Sequence, residues 1–133
     1  MTAPAGLLDT SVFIAQERSR PQHEDLLPAE TFVSVITVAE LQAGALIARR
    51  TDDRATRLRT LEAVASREPL PITAHVAGHW ARLRVRLVEA GRQAPVNDLW
   101  IAAIAVAAQL PVVSQDSDYD ALDELGLVDV IRV

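Results

Sequence analysis

The stretch Gly6-Leu7-Leu8-Asp9-Thr10-Ser11-Val12-Phe13-Ile14-Ala15 passes from a short apolar run to an acid and then into a helix-like segment. It predicts a buried strand feeding directly into a helix. The same passage recurs downstream, where the β-rich Thr31-Phe-Val-Ser-Val gives way to Thr37-Val-Ala-Glu-Leu-Gln-Ala-Gly-Ala-Leu-Ile-Ala, with alanine and leucine favouring helix. Pro21 and Pro28 bracket a loop or short helix between the two.

Further along, Leu58, Leu61, Val64 and Ala65 recur at helical spacing within Asp52 to Ser66, predicting an amphipathic helix with a wet outer face. Leu70-Pro-Ile fits a short strand, and Ala74 to Ala90 fits a helix stopped by Gly91. Asn97 fits as the cap of an apolar helix running through Gln109. Pro111-Val-Val-Ser is a further strand, and a short helix near Ala121 and a strand at Val128 to Val133 close the chain. Strands alternating with helices predict an α/β sandwich with a central parallel sheet of four to five strands, residues 1–133 forming one domain. In such sheets ligands bind beyond the carboxyl ends of the strands, so acids directly after strands are candidate site residues.

Composition narrows the chemistry. The 133 residues are half apolar, enough for a core without staples. With no cysteine there is no disulfide, thiolate metal site or cysteine nucleophile. All 13 basic residues are arginine, which excludes Schiff bases and the phosphate-loop lysine. The N-terminal Met1-Thr-Ala-Pro-Ala-Gly-Leu-Leu lacks the basic region and long apolar run of a signal peptide, and Leu99 to Leu110 is too short to span a bilayer. A soluble, cytoplasmic protein with no membrane association is expected. The net charge of −5 is unfavourable, at first sight, for a nucleic-acid binder.

The acids answer that objection. Asp9 ends the first strand, where it can cap the next helix or stand as a free carboxylate. Glu40 has Ile36, Thr37, Ala43 and Gly44 as helical neighbours and no arginine within a turn, so a cationic partner or a metal is expected for it. Asp98 opens an apolar helix, and Asp116 and Asp118 follow a strand. Four or five carboxylates share a cleft only if some protonate or cations bind, and hard oxygen ligands suit Mg²⁺ or Mn²⁺. The matching chemistry is attack on a phosphodiester by metal-activated water, with a metal also stabilising the departing oxygen. Setting those five acids aside leaves 13 against 13 arginines, which assigns the whole negative surplus to the proposed cleft.

Four segments in order, Leu8-Asp9-Thr10-Ser11, Ser34-Val-Ile-Thr-Val-Ala-Glu40-Leu-Gln-Ala-Gly44, Asn97-Asp98-Leu-Trp-Ile-Ala-Ala and Pro111-Val-Val-Ser-Gln-Asp116-Ser-Asp118-Tyr119, resemble the PIN-domain ribonucleases, specifically VapC-type toxins of toxin–antitoxin pairs. The resemblance spans nearly the whole chain. It implies a PIN-like α/β/α sandwich in which Asp9, Glu40, Asp98 and Asp116 form a catalytic, metal-binding quartet. Asp118 would then be an auxiliary metal ligand, and Ser11 and Ser114 hydroxyls that orient ligands or water. It also implies magnesium-dependent endonucleolytic cleavage of RNA to 5′-phosphate and 3′-hydroxyl ends, a VapB-type antitoxin partner and a homodimer. Ser114-Gln115 stands where Thr-Arg is common and Tyr119 where Phe is common, which puts a phosphate contact at position 115 in question.

Other features have plainer readings. His75 and His79 are four apart on a helix but lack a third ligand, so a solvent-facing or hydrogen-bonded pair is expected. The arginines at 49, 50, 54, 57 and 59 and at 82, 84, 86 and 92 fit either an RNA clamp or solvated helix faces. Trp80 and Trp100 read as packing residues. Two other functions compete with the nuclease. One is a small metal-dependent phosphohydrolase using Asp116-Ser-Asp118, and the other is a non-catalytic PIN-like interaction module.

Overall fold

The computed structural model describes residues 3–133; Met1 and Thr2, at the head of the segment read as lacking a signal peptide and of the single domain, lie outside the described residues. Among the described residues four strands, β1 (Ala5–Leu8), β2 (Glu30–Phe32), β3 (Val112–Ser114) and β4 (Val130–Arg132), form one parallel sheet in the order β2-β1-β3-β4. Among the described residues six α-helices accompany it: α1 (Thr10–Glu17), α2 (Val35–Ile47), α3 (Thr51–Ala65), α4 (Ala74–Glu89), α5 (Val96–Ala107) and α6 (Asp120–Glu124).

The pleat sorts the core into two layers. Successive side chains of a strand point to opposite faces, and in a parallel sheet both faces are covered. Leu7 and Val112 join Leu83, Leu87, Ile101, Ile104 and Leu122, the layer of α4, α5 and α6. Leu8 and Val113 join Val12, Phe13, Leu41 and Val64, the layer of α1, α2 and α3. Gly6 is needed for this packing, because a Cβ there would lie 2.8 Å from both Pro28 Cγ and Val113 Cγ2.

The strand order creates the site. From β1 the chain moves to one side of the sheet to form β2, then crosses to β3 on the other side. The loops leaving β1 and β3 therefore diverge, and a crevice opens between their carboxyl ends. The register pairs Leu8 with Val113, and Asp9 N–H donates to Val113 O at 2.8 Å. Asp9 thus stands at the mouth of that crevice, beside Ser114.

Several local expectations need correction. Leu70-Pro-Ile is no strand but a single parallel bridge from Leu70 to Ser34, since Pro71 has no N–H to extend the ladder. Helix α2 starts earlier than composition suggests, because the Ser34 side chain accepts from Thr37 N–H at 3.2 Å and caps it. Asn97 does not cap α5; Pro95 occupies that position and Asn97 lies inside the first turn. On α3 only Val64 is buried, and Leu58 and Ala65 face outward. Gly91, at φ +66, ends α4 as expected. No helix among the described residues is long and apolar enough to cross a membrane.

Candidate active site

An open cleft of about 640 Å³ lies at the crevice, and Asp9, Glu40, Asp98, Asp116 and Asp118 all line it. They arrive from four separate segments: the end of β1, the middle of α2, the first turn of α5 and the turn after β3. No three acidic or histidine side chains among the described residues converge to metal-gripping distance; the five acids stand instead around the cleft walls.

Asp9 is the most tightly held. It is 3% exposed, caps α1 by accepting from Ser11 N–H at 3.2 Å, and takes a 2.7 Å hydrogen bond at Oδ1 from the Tyr119 hydroxyl. The cap and carboxylate readings of Asp9 therefore coexist, one oxygen facing the helix and the other the phenol. Tyr119 is fully buried, and burial followed by the charge of Asp9 pushes its pKa upward, so it remains a donor.

Ser114, also fully buried, links the two strand ends. Its Oγ lies 3.3 Å from Asp9 Oδ2, 3.4 Å from Asp116 Oδ1 and 3.2 Å from Ser11 Oγ, and it accepts from Asp116 N–H at 3.2 Å. Its single proton can serve one of these acceptors at a time. Ser11 Oγ in turn accepts from Gln115 N–H at 3.0 Å. The two serines knit the turns after β1 and β3 together beneath the acids.

Glu40 is half-exposed, and the Thr10 hydroxyl donates to its Oε1 at 2.8 Å, while Thr10 also meets the buried Thr37 hydroxyl at 2.9 Å. Among the described residues no arginine pairs with Glu40, and this hydroxyl is its side-chain partner. Asp98 is 9% exposed, and its pKa is pushed up to about 8 by burial, by the charge of Asp9, and by a side-chain hydrogen bond to Asp118 together with the charges of Asp116 and Asp118. Asp116 is raised as well, chiefly by burial, although the Asp118 N–H at 3.1 Å and Ser114 offset part of the effect. Burial first, and the neighbouring carboxylates after it, produce this pattern, and bound cations would relieve it.

Three contributors escaped the sequence reading of the site. Tyr119, the sole tyrosine, was visible only as a departure from Phe, and Thr10 was an unremarked neighbour of Asp9. Arg132, on β4, donates to Asp116 O at 2.9 Å and pairs with Asp120, fixing the turn that carries Asp116.

The remaining candidates lie outside the cleft. His75 and His79 meet edge to face on α4 with centroids 4.7 Å apart, and neither lines the cleft. Trp80 and Trp100 stack at 5.1 Å between α4 and α5, a packing role. Arg54 and Arg57 donate to Ala48 O and Gly44 O, tying α3 to the end of α2, and Arg50 pairs with Asp52 and Asp53. Those arginines of the first group are structural ties rather than a free clamp.

Residues 6–125 match the PIN domain family. Ribonuclease VapC5 of Mycobacterium tuberculosis is 52% identical over 132 residues, covering 99% of this chain and 98% of that protein. Ribonuclease VapC4 of the same organism is 38% identical over 130 residues, covering 98% and 100%. The crystal structure of VapBC-5, a member of the VapBC family of toxin–antitoxin systems from M. tuberculosis, superposes with a TM-score of 0.90 at 52% identity, over 98% of this chain and 99% of that one. Matched end to end in sequence and in the sheet and helices that build the cleft, the chain belongs to the PIN-domain family, among the VapC toxins.

Proposed function

We propose that the chain is the ribonuclease toxin of a toxin–antitoxin pair, and that it hydrolyses RNA phosphodiesters endonucleolytically with Mg²⁺, Mn²⁺ also serving. One observation carries this reading: five carboxylates from four segments line one cleft, and two of them have raised pKa values. The donor set is all oxygen, which fits a hard divalent cation. Asp9, Glu40, Asp98 and Asp116 would hold it, with Asp118 beside them. Bound there, the cation supplies a lowered pKa for water and positive charge for the leaving oxygen.

The chain's own groups orient that machinery. Tyr119 and Ser114 fix the two oxygens of Asp9, and Thr10 holds Oε1 of Glu40, leaving Oε2 as a ligand. Asp118, exposed, and Glu40, partly buried, line the same cleft. The kinship with VapC proteins supports a VapB-type antitoxin as partner, and Leu46 and Ile47, 81% and 75% exposed at the end of α2, offer apolar surface for a partner or a second copy in a homodimer.

The test is cleavage of RNA by purified protein with Mg²⁺ or Mn²⁺, with EDTA, and with Asp9→Asn and Asp98→Asn, followed by mapping of new 5′ ends in cells after brief induction. Metal-dependent cuts with 5′-phosphates, absent from both variants, are expected. Cleavage that persists in EDTA, or in both folded variants, overturns the mechanism. The phosphohydrolase alternative predicts turnover of phosphomonoesters through a covalent aspartyl-phosphate instead, and the interaction module predicts no metal-induced rise in Tm.

A further inference from the structure

Among the described residues, one cationic side chain lines the acidic cleft, that of Arg20. It is exposed and forms no ion pair among the described residues, so none of the five acids neutralises it. Yet its backbone is not loose. Ser19, at φ +52, ends α1 in the left-handed conformation, and Arg20 N–H donates back to Ala15 O at 2.8 Å. Pro21 follows and restricts Arg20 to extended backbone. The Gln115 amide donates to Pro21 O at 2.9 Å and to Val133 O at 3.2 Å, and the Gln22 amide donates to Val12 O at 3.1 Å. Three successive residues are thus anchored to α1 and to the turn that carries Asp116.

We propose that Arg20 is a phosphate-binding residue, gripping an RNA backbone phosphate adjacent to the one set over the carboxylates, and that Gln115 is the positioning residue that holds it there. This rests on the nuclease reading above. A planar guanidinium binds two non-bridging phosphate oxygens at once, and a fixed backbone reduces the ordering cost of that contact. Gln115 does so by bridging the Arg20–Pro21 segment to the Asp116 turn, so the cation and the acids are set in one frame. The side chain at position 115 acts on phosphate through position 20 rather than directly.

The experiment is steady-state cleavage of a single-stranded oligoribonucleotide carrying a site mapped in cells, at about 50 to 200 mM salt, with Mg²⁺-induced Tm shifts in parallel. Arg20→Ala is expected to raise KM about tenfold with kcat little changed, to flatten the log–log salt slope by about 0.7, and to leave the Mg²⁺ shift intact. Arg20→Lys should restore the slope but only part of the affinity. Gln115→Ala should raise KM in the wild type and add nothing in the Arg20→Ala background, whereas a merely structural glutamine would add its loss to both. An unchanged KM and slope in Arg20→Ala overturns the assignment, as does loss of its Mg²⁺ shift, which would place Arg20 in the metal centre. Wild-type protein that cuts no RNA overturns the nuclease reading itself.

Discussion

Replacing Asp98 by Asn should stabilise the metal-free protein while abolishing its response to metal. Burial and the surrounding carboxylates raise the Asp98 pKa from 3.8 to about 8. A folded-state pKa above the unfolded one means that the folded chain keeps a proton the unfolded chain releases, so stability is lost as pH rises from about 4 to about 8. At about 1.4 kcal/mol per pKa unit, the full shift corresponds to roughly 5 kcal/mol near pH 7.5. The carboxyl faces an open, hydrated cleft, and screening reduces this to about 2 kcal/mol. Asn keeps the shape without the charge, so the variant should melt about 8 °C above wild type near pH 7.5 in EDTA, a chain of this size gaining a few degrees per kcal/mol. The two melting curves should approach each other as pH falls towards 4, where the folded wild-type carboxyl is protonated and the unfolded one becomes increasingly so. Thermal denaturation followed by circular dichroism between pH 4 and 8 measures this, and repetition with Mg²⁺ should raise the wild-type Tm and leave the variant nearly unmoved. A variant no more stable than wild type at pH 7.5, with the same dependence on pH, would refute the argument that burial and the neighbouring carboxylates destabilise the ionised Asp98.

Other perturbations separate support from chemistry. Tyr119→Phe removes the 2.7 Å hydrogen bond to Asp9 at nearly constant volume, and should cost about 1–2 kcal/mol by urea denaturation and weaken, without abolishing, metal binding measured by calorimetry. Thr10→Val frees Glu40 Oε1, and should lower metal affinity at constant secondary structure while Thr37→Val, one step removed, lowers it less. Gly6→Ala places a methyl 2.8 Å from Pro28 and Val113, and should lower stability by about 1–3 kcal/mol in the same denaturation assay, with the metal response retained in the folded fraction.

The acids and the strands were legible in sequence for a shared reason. A buried parallel strand is short and wholly apolar, so Leu7-Leu8 and Val112-Val113 stand out, and the first polar residue after each marks the carboxyl end where ligands bind. Element edges were less legible. The Ser34 cap and Pro95 entry depend on local backbone hydrogen bonding, which hydrophobic pattern does not encode, and Leu70 reads as strand although Pro71 cannot extend the ladder. Amphipathic spacing on α3 placed Leu58 inside, whereas α3 packs on α2 with Val64 as its one buried residue.

By itself, the sequence determined the layered α/β architecture and the acids that follow its strands, because periodicity and residue type are one-dimensional properties, while the family was legible as a resemblance of four ordered segments. Only the tertiary structure decided that Tyr119 reaches Asp9 across 110 positions, that the Thr10 hydroxyl holds Glu40, and that Gln115 ties Pro21, the residue after Arg20, to the turn that carries Asp116. Each of these depends on the order β2-β1-β3-β4, which brings the ends of β1 and β3 together and lets side chains remote in sequence share one cleft.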